Sequence, residues 1–239
     1  MTLLDPFLPA PGLAAWLLPA SIVYAALAAY AAGYLRIRRG IRTPYTRKIF
    51  HFTIFTAAGG LQMAWGLPAV VIFGSVTSAI VLHAVWRGDG FPFYEAMARP
   101  SDAPRRTLFI LIPLATTALG GVTVNLLFPA WAFVGYLVCG WGDAVGEPVG
   151  TRWGAHRYSV PSLGGVKATR SVEGSLAVFA AGTAATAAAL AVLGFSGPQM
   201  MTIALGAGLA GAVVEAVSTH GLDNFTVQVA ASAAAQLIG

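Results

Sequence analysis

Two carboxylates four residues apart, Asp143 and Glu147, stand in the run GWGDAVGEPVGTRWG between Gly140 and Gly154. On a helix that spacing projects both from one face at neighbouring levels. An acid inside an apolar helix is costly to bury and marks a functional position by default. Two of them on one face suit a divalent cation, because Mg²⁺ takes a carboxylate or two and completes its shell with water and substrate phosphates. Gly142, Gly146, Gly150 and Gly154 recur at the same interval, making a smooth stripe that a ligand or another backbone approaches closely. For the glycines alone, helix packing is the favoured explanation. The acids have a bland alternative too, as helix-end charges answering Arg152 and Arg157, but for Asp143 the functional reading outweighs it.

Three further clusters carry polar chemistry. The segment 151–171 holds Arg152, Arg157, Lys167 and Arg170 with the pair Gly164-Gly165, and runs into Arg170-Ser171-Val172-Glu173-Gly174-Ser175 where a helix begins. Basic side chains, backbone N–H groups and a helix N-terminus are the parts of a polyphosphate cradle. The competing account is a set of charges that anchor topology, with Ser171 as an ordinary N-cap and Glu173 favouring the helix dipole. Next, Glu215-Ala-Val-Ser218-Thr-His220-Gly-Leu-Asp223-Asn224 covers a turn between two helices and offers Asp223 and Asn224 as oxygen donors. The expected topology puts them at the same membrane face as Asp143; the competing account is an Asx turn capping the last helix, and capping and metal binding are compatible. Last, Arg47, Lys48 and His51 share one helical face by spacings of three and four, where they can meet phosphate. His83 and His156 have no such context and receive no role.

The elements that must position these groups belong to a membrane protein. Of 239 residues, 57% are hydrophobic and only 10% charged, far below the charged quarter of soluble domains. Apolar stretches near the length of a span are expected at 13–35, 48–64, 67–86, 107–127, 131–149, 172–194, 199–218 and 224–238. The fold expected is therefore all-α, a polytopic helical bundle of about seven or eight transmembrane helices forming a single domain over 1–239. The second and last stretches are short enough to be re-entrant. The first reads as a retained span, since Asp5 and prolines stand where a secretory leader carries positive charge. Every Lys and Arg falls in alternate joints, and the joints near 65–67, 128–130 and 195–198 carry none. Positive residues are retained in the cytoplasm, so this pattern predicts both termini outside and the polar clusters at the cytoplasmic face. It also accounts for the net charge of +5 without a nucleic-acid partner. The lone Cys139 excludes an intrachain disulfide and any cysteine-based cluster, and is read as packing.

Taken together, RKIFH at 47–51, GDAVGEPVG at 142–150, RSVEGSLA at 170–177 and LDN at 222–224 resemble the polyprenol kinase family, which includes dolichol kinase, phytol kinase and the CTP-dependent diacylglycerol kinases. The resemblance implies phosphoryl transfer from CTP, with Mg²⁺, to the hydroxyl of a lipid alcohol drawn from the bilayer. By that analogy Asp143, Asp223 and His51 are catalytic candidates, and Asp143, Glu147, Asp223 and Asn224 are metal ligands. Arg47, Lys48, Gly142, Gly146, Lys167, Arg170, Ser171, Glu173, Gly174 and Ser175 then contact the nucleotide. Where the family often has Lys-Ser before its Glu-Gly-Ser, this chain has Arg170-Ser171, so either Arg170 or Lys167 takes the lysine's part. A cytidylyltransferase that makes a CDP-lipid is the rival enzyme reading. A small-molecule transporter is a rival of another class, weakened because the acids gather toward one face and not at the bilayer midplane. Nothing in the residues selects the lipid tail, and the choice of CTP over ATP rests on the resemblance.

Overall fold

The computed structural model describes residues 7–162, 168–219 and 221–239. It is overwhelmingly helical, with α1 Pro11–Arg38, α2 Thr43–Arg87, α3 Pro92–Met97, α4 Leu108–Leu127, α5 Ala132–Trp153, α6 Val172–Val192, α7 Gly197–Val217 and α8 Asp223–Ile238. Among the described residues α1, α2, α4, α6 and α7 are each long and apolar enough to cross a membrane. This is a multi-pass, all-α membrane protein. α5 carries Asp143, Glu147 and Arg152 within its length, and α8 has 16 residues. The chain divides into two compact units, Met1–Ile110 and Leu111–Gly239.

In the first unit the 45 residues of α2 are not one straight rod. Gly66 takes φ 69° and ψ −160°, a region that a side chain disfavours and glycine tolerates, and Pro68 follows within the next turn. Tyr24 on α1 shows what the break does. Its hydroxyl donates to the Thr53 carbonyl at 3.2 Å, and its ring lies 5.9 Å from that of Phe73. In an unbroken helix those two residues would stand about 30 Å apart at 1.5 Å per residue. One tyrosine reaches both, so the chain folds back at Gly66 into two arms, 43–65 and 67–87. These are the separate stretches 48–64 and 67–86 expected from hydropathy, joined by a tight non-helical turn at Gly66. Leu17 on α1 packs with Ala69 and Ile72 beside Leu61, and Trp16 meets Trp65 edge-on at 5.1 Å.

The basic end of this unit is built around α3. Gly33 lets α1 approach so closely that a methyl group there would meet Pro92 and Phe93 at 3.1 Å. Thr43 and Thr46, at the start of α2, donate to the carbonyls of Glu95 and Ala96 at 3.1 and 2.9 Å, which a short helix otherwise leaves open at its end. Phe50 and Phe93 meet edge-on at 4.7 Å. Arg106 ties the following segment down through Asp89 and Glu95, each at 2.7 Å.

The second unit packs α5 against α6, α7 and α8 through small residues, as lipid gives helices no hydrophobic reason to associate. Val138 on α5 fills the space left open by Gly182 on α6 and Gly211 on α7. Between α5 and α6 lies an element that the loop expected over 151–171 did not contain. β1, Arg157–Val160, and β2, Ala168–Ser171, pair antiparallel with Tyr158 opposite Arg170 and Val160 opposite Ala168. Ser171, the last residue of β2, is also the N-cap of α6, its Oγ accepting from the Gly174 N–H at 3.1 Å. The strand therefore runs directly into the helix and leaves Arg170 at a fixed height beside it.

Candidate active site

Four elements of the second unit meet at the C-terminal half of α5. Asp143 on α5, Glu215 at the last turn of α7, and Asp223 and Asn224 at the first turn of α8 line one small cavity over an apolar floor of Val138, Val178 and Val227. The cavity gives about 10 Å³ to the centre of a water molecule, room for about one water-sized species. Asp143 and Asp223 are 80 residues apart in sequence yet share this space, as the clusters at 142–150 and 222–224 were expected to.

Arg170 organises the acids. From the end of β2 its Nη2 donates to Asp223 Oδ2 at 2.9 Å, and its Nη1 forms an ion pair with Glu215 Oε1 at 3.0 Å. Only 10% of the arginine side chain is exposed, against 17% and 19% for the two acids. A guanidinium fork is suited to holding two carboxylates from separate elements. It joins the hairpin to the ends of α7 and α8. The turn between those helices is held in its own right, since Gly221 adopts φ 99° and its carbonyl accepts from Thr116 Oγ1 at 3.0 Å. Asn224 donates through Nδ2 to Thr117 Oγ1 at 2.8 Å, and its backbone N–H bonds Asp223 Oδ1 at 3.1 Å.

The start of α6 is tied to the hairpin by two more contacts. Glu173 accepts from the His156 backbone N–H at 3.2 Å and meets His156 Nδ1 at 2.7 Å. Ser175 Oγ lies 2.9 Å from the Tyr158 hydroxyl. The expected cap at Ser171 is present, and Glu173 and Ser175 orient the strand beside it. Arg157, offered as a partner for the acids of α5, donates to the carbonyls of Gly154 and Thr151, while Arg152 lies over the Trp153 ring at 5.0 Å.

The glycine stripe serves the contact between α5 and α6. A methyl group on Gly142 would lie 2.8 Å from Val178 Cγ1, one on Gly146 would overlap Val178 Cγ2, and one on Gly174 would lie 3.0 Å from the Gly146 carbonyl oxygen. The surface that Gly142 and Gly146 open is thus filled by α6, as the packing explanation has it. Gly146→Ala is expected to lower stability by about 1–3 kcal/mol through overpacking, read as a drop in the unfolding temperature in detergent. Adding Val178→Ala should recover part of that loss. An unchanged melting temperature in the single variant would show that α6 does not lean on this glycine.

Glu147, one turn beyond Asp143, is half-buried and does not line the cavity. Lys167, Gly164, Gly165 and His220 lie outside the described residues. Arg47, Lys48 and His51 belong to the first unit, where Arg47 Nη1 donates to the Phe109 carbonyl at 3.0 Å and His51 stacks on Phe55 at 4.2 Å. Glu215 was visible in the sequence as part of the 215–224 segment, but nothing in its spacing marked it as Arg170's partner. Tyr158 and Thr117 carried no signal at all.

The chain is 31% identical over 186 residues to phytol kinase from Synechocystis sp., an alignment covering 76% of this chain and 74% of that protein. It belongs to the polyprenol and phytol kinase family. No family model and no solved structure matches it. The similarity to phytol kinase extends over most of the chain.

Proposed function

We propose that this kinase transfers the γ-phosphoryl group of CTP to the hydroxyl of an isoprenoid alcohol of the phytol, geranylgeraniol or polyprenol type, at the cytoplasmic face of the membrane. The observation that carries the reading is Arg170, held between Glu215 at the last turn of α7 and Asp223 at the first turn of α8, around the cavity that Asp143 of α5 also lines. Phosphoryl transfer asks a protein mainly to position reactants and neutralise developing charge. A fixed guanidinium next to carboxylates provides both. The similarity to phytol kinase supports the class of acceptor, and the placement of basic residues in alternate joints supports the cytoplasmic orientation.

In the proposed reaction the alcohol oxygen attacks the γ-phosphorus, the bond to the β–γ bridging oxygen breaks, and CDP leaves. The hydroxyl proton passes to Asp143 or Asp223. Arg170, with Lys167 and the N–H groups at the start of α6, holds the triphosphate. The lipid enters sideways from the bilayer so that only its head reaches the acids. No set of three or more His, Cys, Asp or Glu among the described residues is arranged to hold a metal alone. This suits Mg²⁺ that arrives with its nucleotide, which needs one or two protein carboxylates; Asp143 and Asp223 would hold it, with Glu147 and Asn224 near them in sequence. When bound, Mg²⁺ neutralises phosphate charge.

Purified protein assayed with CTP or ATP against phytol, geranylgeraniol, farnesol, a polyprenol and diacylglycerol should release CDP in step with phosphorylated isoprenoid alcohol. Pyrophosphate in place of CDP would replace the kinase with a cytidylyltransferase. Solute flux in proteoliposomes without nucleotide, and no CDP with any acceptor, would sink both.

A further inference from the structure

We infer that Glu215 is a positioning residue for the nucleotide: it holds Arg170 in place while Asp223 turns to the substrates, and so sets triphosphate affinity without touching the triphosphate. The inference rests on the function proposed above.

The two carboxylates around Arg170 are not equivalent. Asp223 accepts a well-formed hydrogen bond from Nη2 at 2.9 Å. Glu215 pairs with Nη1 at 3.0 Å, and Nη1 is the nitrogen that is shut off from solvent, so Glu215 holds the guanidinium from its buried side. A guanidinium has five N–H donors, and Glu215 and Asp223 engage one terminal nitrogen each. If Asp223 leaves Arg170 to take a proton or a metal, Glu215 is the anchor that remains.

Charge leads to the same conclusion. Asp143, Asp223 and Glu215 all line one small cavity, and a carboxylate facing the place where a polyanion binds repels it. Asp143 and Asp223 have work in the proposed reaction. Glu215 has a use there only through the cation it holds. It also stands on α7, an element that none of the four sequence motifs reaches, so it fixes Arg170 relative to a helix that the other site residues do not use.

The test measures steady-state kinetics and direct CTP binding on the full-length protein in detergent, for wild type, Glu215→Gln, Glu215→Asp, Arg170→Lys and the double variant Glu215→Gln/Arg170→Lys. Glu215→Gln should raise both KM and Kd for CTP about tenfold while kcat changes less than about threefold. Glu215→Asp, which keeps the charge on a shorter stem, should recover part of the affinity. In the Arg170→Lys background the glutamine should add less than about twofold, because the two residues act as one unit. Unchanged affinity in Glu215→Gln, a fallen kcat with unchanged KM, or an equal effect in both backgrounds would each overturn the inference. Should Glu215→Gln lose its melting transition, Glu215→Asp in the two Arg170 backgrounds makes the same comparison. Wild-type protein that binds CTP but releases no CDP with any alcohol would sink the kinase reading instead, and the binding series would still decide the role of Glu215.

Discussion

Asp143→Asn should lower kcat/KM for CTP-dependent phosphorylation about 10³-fold, within the range for removing an acid–base group or a charge that acts in the transition state, while the protein stays folded. The amide keeps the size of the carboxyl group and removes its charge. Asp143 lies in the C-terminal half of α5, lining the cavity with Glu215 and Asp223, so an amide of the same size changes the charge at the site and not the volume beside Val178, where Gly142 and Gly146 pack. CDP release measured over a range of Mg²⁺ separates its two candidate roles. A metal ligand should be partly rescued by excess Mg²⁺, and a proton acceptor should not. Turnover within a few-fold of wild type would remove Asp143 from the chemistry.

Arg170→Met carries the second large effect, on folding and on binding together. It leaves Glu215 and Asp223 near each other without their cation. Breaking a fully buried ion pair costs 3–5 kcal/mol, and these acids keep 17% and 19% exposure, so about 2–4 kcal/mol is expected. CTP affinity should fall at least about 100-fold, since a desolvated guanidinium makes strong bonds to phosphate. Adding Glu215→Gln should restore much of the stability and none of the binding. If the double variant recovers CTP affinity as well, Arg170 is a structural cation and the triphosphate is held elsewhere.

What the sequence made legible follows from which signals are local. Apolar stretches announce helices because each must satisfy its own backbone in lipid, and even the break at 65–67 was visible as a gap in hydropathy before Gly66 gave it a conformation. The cap at Ser171 was legible for the same reason, needing only its next three residues. The hairpin at 157–171 was not, because its two strands are four residues each and its apolar alternation is too brief to stand out. That omission hid the main fact about Arg170, whose direction depends on its register opposite Tyr158. Glu215 was obscured differently. Its role depends on a partner 45 positions earlier, and no spacing rule links the end of one helix to a strand in another part of the chain. The glycines at 142 and 146 were ambiguous in sequence because a stripe of small residues serves a ligand or a helix equally well, and only the presence of Val178 decides.

The fold-back at Gly66 bears on how the protein reaches the bilayer. It returns Arg87 to the end of the arm pair where Arg47 and Lys48 stand, and Ala64-Trp65-Gly66-Leu67-Pro68 at the bend carries no charge. Residues 43–87 can therefore enter as one preformed hairpin, an uncharged tip leading and the cations trailing, so that no arginine has to be carried through hydrocarbon during biogenesis.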